Sequence, residues 1–305
     1  MNTADVITIA KQQLTALSGH VFDVLSIAKP VSPGAAVNLA KVISKLSPLV
    51  GNLIEFNTIE LLNEREEFRG YGHWVRQDPG FPDTVFQGSV TPVPGFEIKA
   101  WFPLSTEITA RFKDSQTYFI GGNTYVALLA WIPEYVIYGK PQILSVCVAE
   151  GGSVARARDA HYHNPPDYVI LEPEDTSART RNLQQTNTSG YKWQGAPAQF
   201  AEAEEMVSCW GEDARVYQPT PQYQQRLRQL LARYPYRLDT NFAKIDRIVH
   251  PEIERFKQQV YQMTFQGMTV QQWMRVCSSR DRTRIAHAFA TQLTIVEADT
   301  DRLVK

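Results

Sequence analysis

Asp83, Glu97 and Lys99 are the residues whose types and spacing can do chemistry together in this chain. Pro82-Asp83 is followed, thirteen residues on, by Glu97-Ile98-Lys99. The stretch from Phe81 to Phe102 reads as a short strand, a Pro/Gly-rich turn and a second strand. Alternate residues of a strand face opposite ways, so Glu97, Lys99 and Trp101 share one face while Phe96, Ile98 and Ala100 take the other. Pairing of the two strands as a hairpin brings Asp83 beside Glu97. Two carboxylates and an ammonium then converge at the end of a small sheet. Carboxylates so placed suit a hard divalent cation, because Mg2+ keeps several waters and takes only one or two protein oxygens. Such an ion stabilises charge building on a phosphate, with Lys99 orienting a metal-bound water or helping to deprotonate it. The ordinary alternative is an exposed hairpin with alternating charges. Phe96 and Phe102 flank the pair, however, and charge in apolar surroundings calls for a partner.

This pattern of PD, thirteen residues and E-I-K resembles the active site of the PD-(D/E)xK nuclease superfamily, which includes most type II restriction endonucleases. The resemblance implies an α/β (α+β) fold, a restriction-endonuclease-like mixed central β-sheet flanked by helices. It implies a sequence-specific endonuclease that hydrolyses double-stranded DNA with Mg2+. Asp83 and Glu97 would bind the metal together with the Ile98 backbone carbonyl, and Lys99 would act on the attacking water. Superfamily nucleases often bring an acidic residue from an N-terminal helix to the metal, which nominates Glu55, with Glu60 as second choice. One active site per chain implies a homodimer, or a tetramer built from dimers, on a palindromic or nearly palindromic site. Two alternatives stay open: a repair or recombination nuclease that reads DNA shape, and a non-catalytic DNA-binding protein whose carboxylates hold a salt-bridged hairpin.

The elements that must position these residues follow from periodicity. Val6, Ile9, Leu14, Leu17, Val21 and Leu25 predict a helix from Thr3 to Ala28, ended by Lys29-Pro30. Ser32-Pro33 gives a helix N-cap with proline at the first helical position. Leu39, Ile43, Leu46, Val50 and Leu53 continue the pattern, with a kink or break expected at Pro48 and Gly51. Tyr71 to Phe81 reads as a loop in which His73 and Arg76 can approach a phosphate. Thr124 to Ile132, Ile143 to Ala149 and Tyr168 to Leu171 read as strands, and Val154 to Tyr162 as a helix. Helices are predicted over 200–210, 221–234, 238–249, 251–264 and 270–293. This divides the chain into an N-terminal helical region (1–70), a catalytic sheet core (71–197) and a helical C-terminal region (198–305).

Pro173 to Gly195 is a long polar segment with neither period. It concentrates Arg179, Arg181, Asn182, Gln184, Gln185, Asn187 and Lys192. Arg can donate two hydrogen bonds to guanine, and Asn or Gln can pair likewise with adenine in the major groove. DNA readout is therefore expected here, the alternative being a polar surface loop.

Bulk properties set the frame. The chain has 305 residues, 43% of them hydrophobic, and a formal net charge of -1, so a DNA surface would have to be local rather than global. Cys147, Cys209 and Cys277 match no zinc spacing and fit a reduced, cytoplasmic setting. Neither a signal peptide nor a membrane span is expected. The sequence has no internal repeat, glycine-rich phosphate loop or nucleophile elbow.

Overall fold

The computed structural model describes residues 1–77, 80–104, 116, 119, 121–163, 168–171, 190–215, 220–239 and 248–296. Helix α1 (Thr3–Thr15) opens on a reciprocal cap: the Asn2 side chain accepts from the Asp5 N–H, and Asp5 accepts from the Asn2 N–H. It is shorter than its periodicity predicts. Gly19 takes a left-handed φ of 88°, and the chain beyond it becomes extended. There its backbone N–H groups at Gly19, Phe22 and Ile27 donate to Ile143, Pro141 and Gly139. A tertiary backbone partner has overridden a helical pattern.

Helix α2 (Pro33–Val42) begins as read, with Ser32 Oγ accepting from the Ala35 N–H at 3.1 Å. The break falls earlier than expected, at a 3-10 turn over Ile43–Leu46. Helix α3 (Ser47–Asn63) then starts with Pro48 in its first turn and runs through Gly51 without interruption.

A five-stranded mixed sheet follows: β1 (Gly72–Arg76), β2 (Thr84–Gly88), β3 (Gly95–Trp101), β4 (Thr124–Pro133) and β5 (Pro141–Glu150), in that spatial order. β3 and β4 run parallel, and every other neighbouring pair is antiparallel. β1 corrects the expected loop over 71–81. Its signal is weak because it is a five-residue edge strand with a single buried side chain, Trp74. Trp74 joins Phe68, Phe86 and Phe96 in an aromatic core with ring centroids 5.3–5.8 Å apart.

Helices cover both faces of the sheet. A Cβ placed on Gly51 of α3 would stand 3.6 Å from the Ala100 Cβ, so α3 crosses β3 closely. Trp101, on the opposite face, meets Phe256 and Tyr261 of α7 (Pro251–Gln262) with tilted and edge-on rings. A short hairpin, Thr264–Phe265 with Met268–Thr269, leads to α8 (Val270–Ser278) and α9 (Arg282–Leu293). The helix expected over 270–293 is thus split, because Asp281 caps α9 by accepting from Thr283 and Arg284 N–H groups. Helix α4 (Gly151–His163) begins directly after β5.

The described residues form two compact units, the first made of residues 1–155 and 250–296 and the second of 156–249. Tyr168–Leu171 does not extend the five-stranded sheet. It belongs to a three-stranded antiparallel sheet in the second unit, with Gly190–Trp193 in the middle and Tyr236–Asp239 beyond. That last strand replaces the start of the helix expected over 238–249, of which 240–247 lie outside the described residues. α5 (Pro197–Ser208) and α6 (Pro221–Arg233) contribute Ala203, Val207, Leu227 and Leu230 to this unit's core, against Trp193 and Tyr236. Among the described residues, no helix is long and apolar enough to cross a membrane.

Candidate active site

The β2–β3 register pairs Thr84 with Phe96, which sets Asp83 opposite Glu97 at the mouth of the hairpin. The contacts there are dense. Asp83 Oδ2 accepts from the Ile98 N–H at 2.7 Å, and the Asp83 N–H donates to Glu97 Oε2 at 3.3 Å. Lys99 Nζ sits between the two carboxylates, 3.1 Å from Asp83 Oδ2 and 2.5 Å from Glu97 Oε1. Gly95 permits this seating, since a Cβ there would come within 2.6 Å of the Pro82 ring.

Electrostatics follows from the geometry. Burial works against the Lys99 charge, but Glu97 and Asp83 outweigh it and hold the ammonium above its ordinary range. Burial likewise raises the Glu97 carboxyl, opposed by Lys99 and reinforced by Asp83.

Glu55 joins this cluster. Its carboxyl is pushed up to about 7 by burial first and by the Asp83 charge next, with Lys99 and Arg76 pulling the other way and Glu97 adding to the rise. Arg76, at the end of β1, approaches Glu55 Oε1 at 3.6 Å. Glu60, the second choice, is exposed on the same helix.

Three contacts hold Glu55 and Arg76 in place. The Asn63 side chain, two turns beyond Glu55, accepts from the Trp74 N–H at 2.6 Å and donates to the Trp74 carbonyl at 2.8 Å. It acts as a side-chain neighbour to the sheet's edge strand and ties α3 to β1. Thr84 Oγ donates to the Val75 carbonyl at 2.9 Å, and the Gln77 N–H donates to the Asp83 carbonyl at 2.8 Å. Arg76 is thereby fixed beside Asp83. Sequence reading passed over Asn63 and Gly95, because neither belongs to a motif. Arg76 is among the residues expected to approach a phosphate, though from a loop and not from the strand it ends.

The donor set bears on a metal. Asp83, Glu97 and the Ile98 carbonyl offer few oxygens, as a hard ion that keeps its waters needs. Burial and then the Asp83 charge raise the Glu55 carboxyl, and a divalent cation beside it would oppose that rise. The residues fit such an ion as an open site, not as a closed cage: among the described residues, no group of three or more His, Cys, Asp and Glu side chains is assembled to hold one.

Of the residues nominated for DNA readout, Arg179, Arg181, Asn182, Gln184, Gln185 and Asn187 lie outside the described residues. Lys192 lies on the middle strand of the second unit's sheet. The architecture defines a mixed α/β protein, a five-stranded mixed sheet packed against helices with a helical C-terminal region. Comparison with family models, curated proteins and solved structures finds no match to this chain.

Proposed function

We propose that this protein is an Mg2+-dependent endodeoxyribonuclease of the PD-(D/E)xK kind, acting as a site-specific restriction enzyme on double-stranded DNA. One observation carries the reading. Two carboxylates from adjacent strands, fourteen residues apart in sequence, share a single lysine ammonium at 3.1 and 2.5 Å. Asp83, Glu97 and the Ile98 carbonyl would hold Mg2+, which supplies Lewis-acid stabilisation of charge on the phosphate and acidifies a water. In hydrolysis the water oxygen forms a bond to phosphorus as one ester P–O bond breaks, and the leaving oxygen takes up a proton. Lys99, held as an ammonium by its two partners, orients that water and stabilises the charge on the phosphoryl oxygens. It is not the base. Glu55, whose carboxyl feels the charges of Asp83 and Lys99, would receive the water's proton.

The test is cleavage of a mixed-sequence plasmid with Mg2+, read as discrete bands. Asp83→Ala, Glu97→Ala and Lys99→Ala should each abolish cutting and leave the fold intact. Near-normal cutting by Asp83→Ala removes the assignment. With one such cluster among the described residues, double-strand scission calls for two copies related by a two-fold axis. Light scattering should show a homodimer or a tetramer of dimers, and a strict monomer on DNA would point to sequential nicking. Base readout is assigned to 179–192, where the Arg, Asn and Gln side chains are densest.

A further inference from the structure

We infer that two copies of this chain pair through the outer face of α3, antiparallel about a two-fold axis that passes between Asn52 and Leu53. The inference rests on the nuclease reading for its occupant, a second copy, and gives that homodimer a surface. Helix α3 buries Val50, Ile54, Thr58 and Leu62 on its inner side. Its outer side is apolar at two large side chains: Leu49 is 55% exposed, and Phe56, one residue past Glu55, is 46% exposed. They stand seven residues apart, about two helical turns, so they lie on one stripe. Leu53 is half-buried between them, with exposed Asn52 beside it. Exposed Lys45, in the 3-10 turn that leads into α3, and exposed Glu60 close the stripe at its two ends.

What selects a second copy is the order of these residues. Along the chain it runs Lys45, Leu49, Asn52, Leu53, Phe56, Glu60, in steps of 4, 3, 1, 3 and 4 residues. The spacing is the same in both directions. An isologous interface demands this, because residue i must meet residue j while j meets i. Laid antiparallel, the stripe sets Leu49 on the partner's Phe56 and Lys45 on the partner's Glu60, each contact made twice, with Asn52 and Leu53 at the axis. A parallel pair would set Lys45 against Lys45 and Glu60 against Glu60. Neither Lys45 nor Glu60 has an ion-pair partner among the described residues, so both charges are open to a second copy. A helix of 17 residues offers a strip roughly 25 Å by 10 Å. That is less than the roughly 800 Å² per partner of a standard interface, so association of the free protein is weak and concentration-dependent.

The experiment uses the full chain with exposed Cys209 replaced by serine. Sedimentation over a wide concentration range, in chelator and without DNA, should show a monomer–dimer equilibrium. Leu49→Arg and Phe56→Ser should each weaken it about tenfold or more. Lys45→Glu and Glu60→Lys should each weaken it about two- to fivefold, and the chain carrying both changes should recover the original strength. Asn52→Cys, beside the axis, should give a disulfide-linked dimer on mild oxidation, which traps even a weak pair. A chain that stays monomeric throughout and is not trapped by Asn52→Cys overturns the inference. So does a dimer of unchanged strength in both Leu49→Arg and Phe56→Ser, or a double charge swap weaker than either single change. Melting points taken at low concentration should stay at the unmodified value, since these side chains are exposed. A fall in melting point without any dimer would place another segment of this chain over the face and overturn the inference as well. Plasmid cleavage separates the surface from the nuclease reading. A dimer lost in Phe56→Ser, in a protein that never cuts DNA, keeps the surface and removes the nuclease. A protein that cuts DNA while its association ignores Leu49 and Phe56 keeps the nuclease and removes the surface.

Discussion

Replacing Glu55 with glutamine should change the pH dependence of stability in a calculable way. The Glu55 carboxyl stands at about 7 in the folded chain against an ordinary value of 4.5. Between those values the folded chain holds a proton at Glu55 that the unfolded chain has released, so folding takes up protons and stability falls as pH rises through this window. That rise corresponds to about 3 kcal/mol at most. The Glu55 side chain is 16% exposed, and solvent screening brings the expected effect to about 1–2 kcal/mol. Glutamine mimics the protonated carboxyl. The variant should therefore match the wild type near pH 4 and exceed it near pH 8 by a few degrees, at about 2–4 °C per kcal/mol. The assay is thermal unfolding of both proteins at both pH values in chelator, where all other titrating groups cancel in the comparison. Adding Mg2+ should raise the wild-type midpoint more at the higher pH, and should raise the variant less. An Glu55→Gln difference that is the same at both pH values would refute the placement of Glu55 in the carboxylate cluster.

Two further expectations concern support and readout. Asn63→Ala should cost about 1–3 kcal/mol by leaving the Trp74 N–H and carbonyl without their side-chain partner, and should lower cleavage by loosening Arg76; unchanged melting and unchanged rate would count against the staple. At least one alanine variant among Arg179, Arg181, Asn182, Gln184, Gln185 and Asn187 should lose about 1–3 kcal/mol of discrimination at one base pair, measured as cleavage on single-base-pair variants of the cognate site. Wild-type discrimination in all six would move readout elsewhere in the chain.

Much of the candidate site was legible because it is local. Asp83, Glu97 and Lys99 sit on two consecutive strands joined by a short turn, and alternation with antiparallel pairing puts them together without help from the rest of the chain. The long apolar strands β4 and β5 and helices α4 to α7 were legible for the same reason: composition and period are properties of a short window. Glu55 is nominated by a resemblance, and its neighbours add only that it stands in an otherwise apolar stretch.

What the tertiary structure decided is where local pattern has no say. The 3.6-residue period runs on past Thr15, yet the chain leaves the helix because β5 offers its backbone better-placed partners. Five residues around Trp74 carry almost no strand signal, and they become an edge strand because β2 pairs with one side of them and Asn63 supplies hydrogen bonds from α3. Tyr168–Leu171 reads as a strand, but its window holds no information about which sheet it joins. The pairing of Glu55 with Arg76 depends on how α3 lies across β1 and β3, set by Asn63 and by the close approach at Gly51. Amino-acid sequence determined the hairpin and its three charges, since neighbours along the chain are neighbours in space there. The third carboxylate and the cation facing it were decided only by packing, because they come from segments whose meeting depends on the whole sheet.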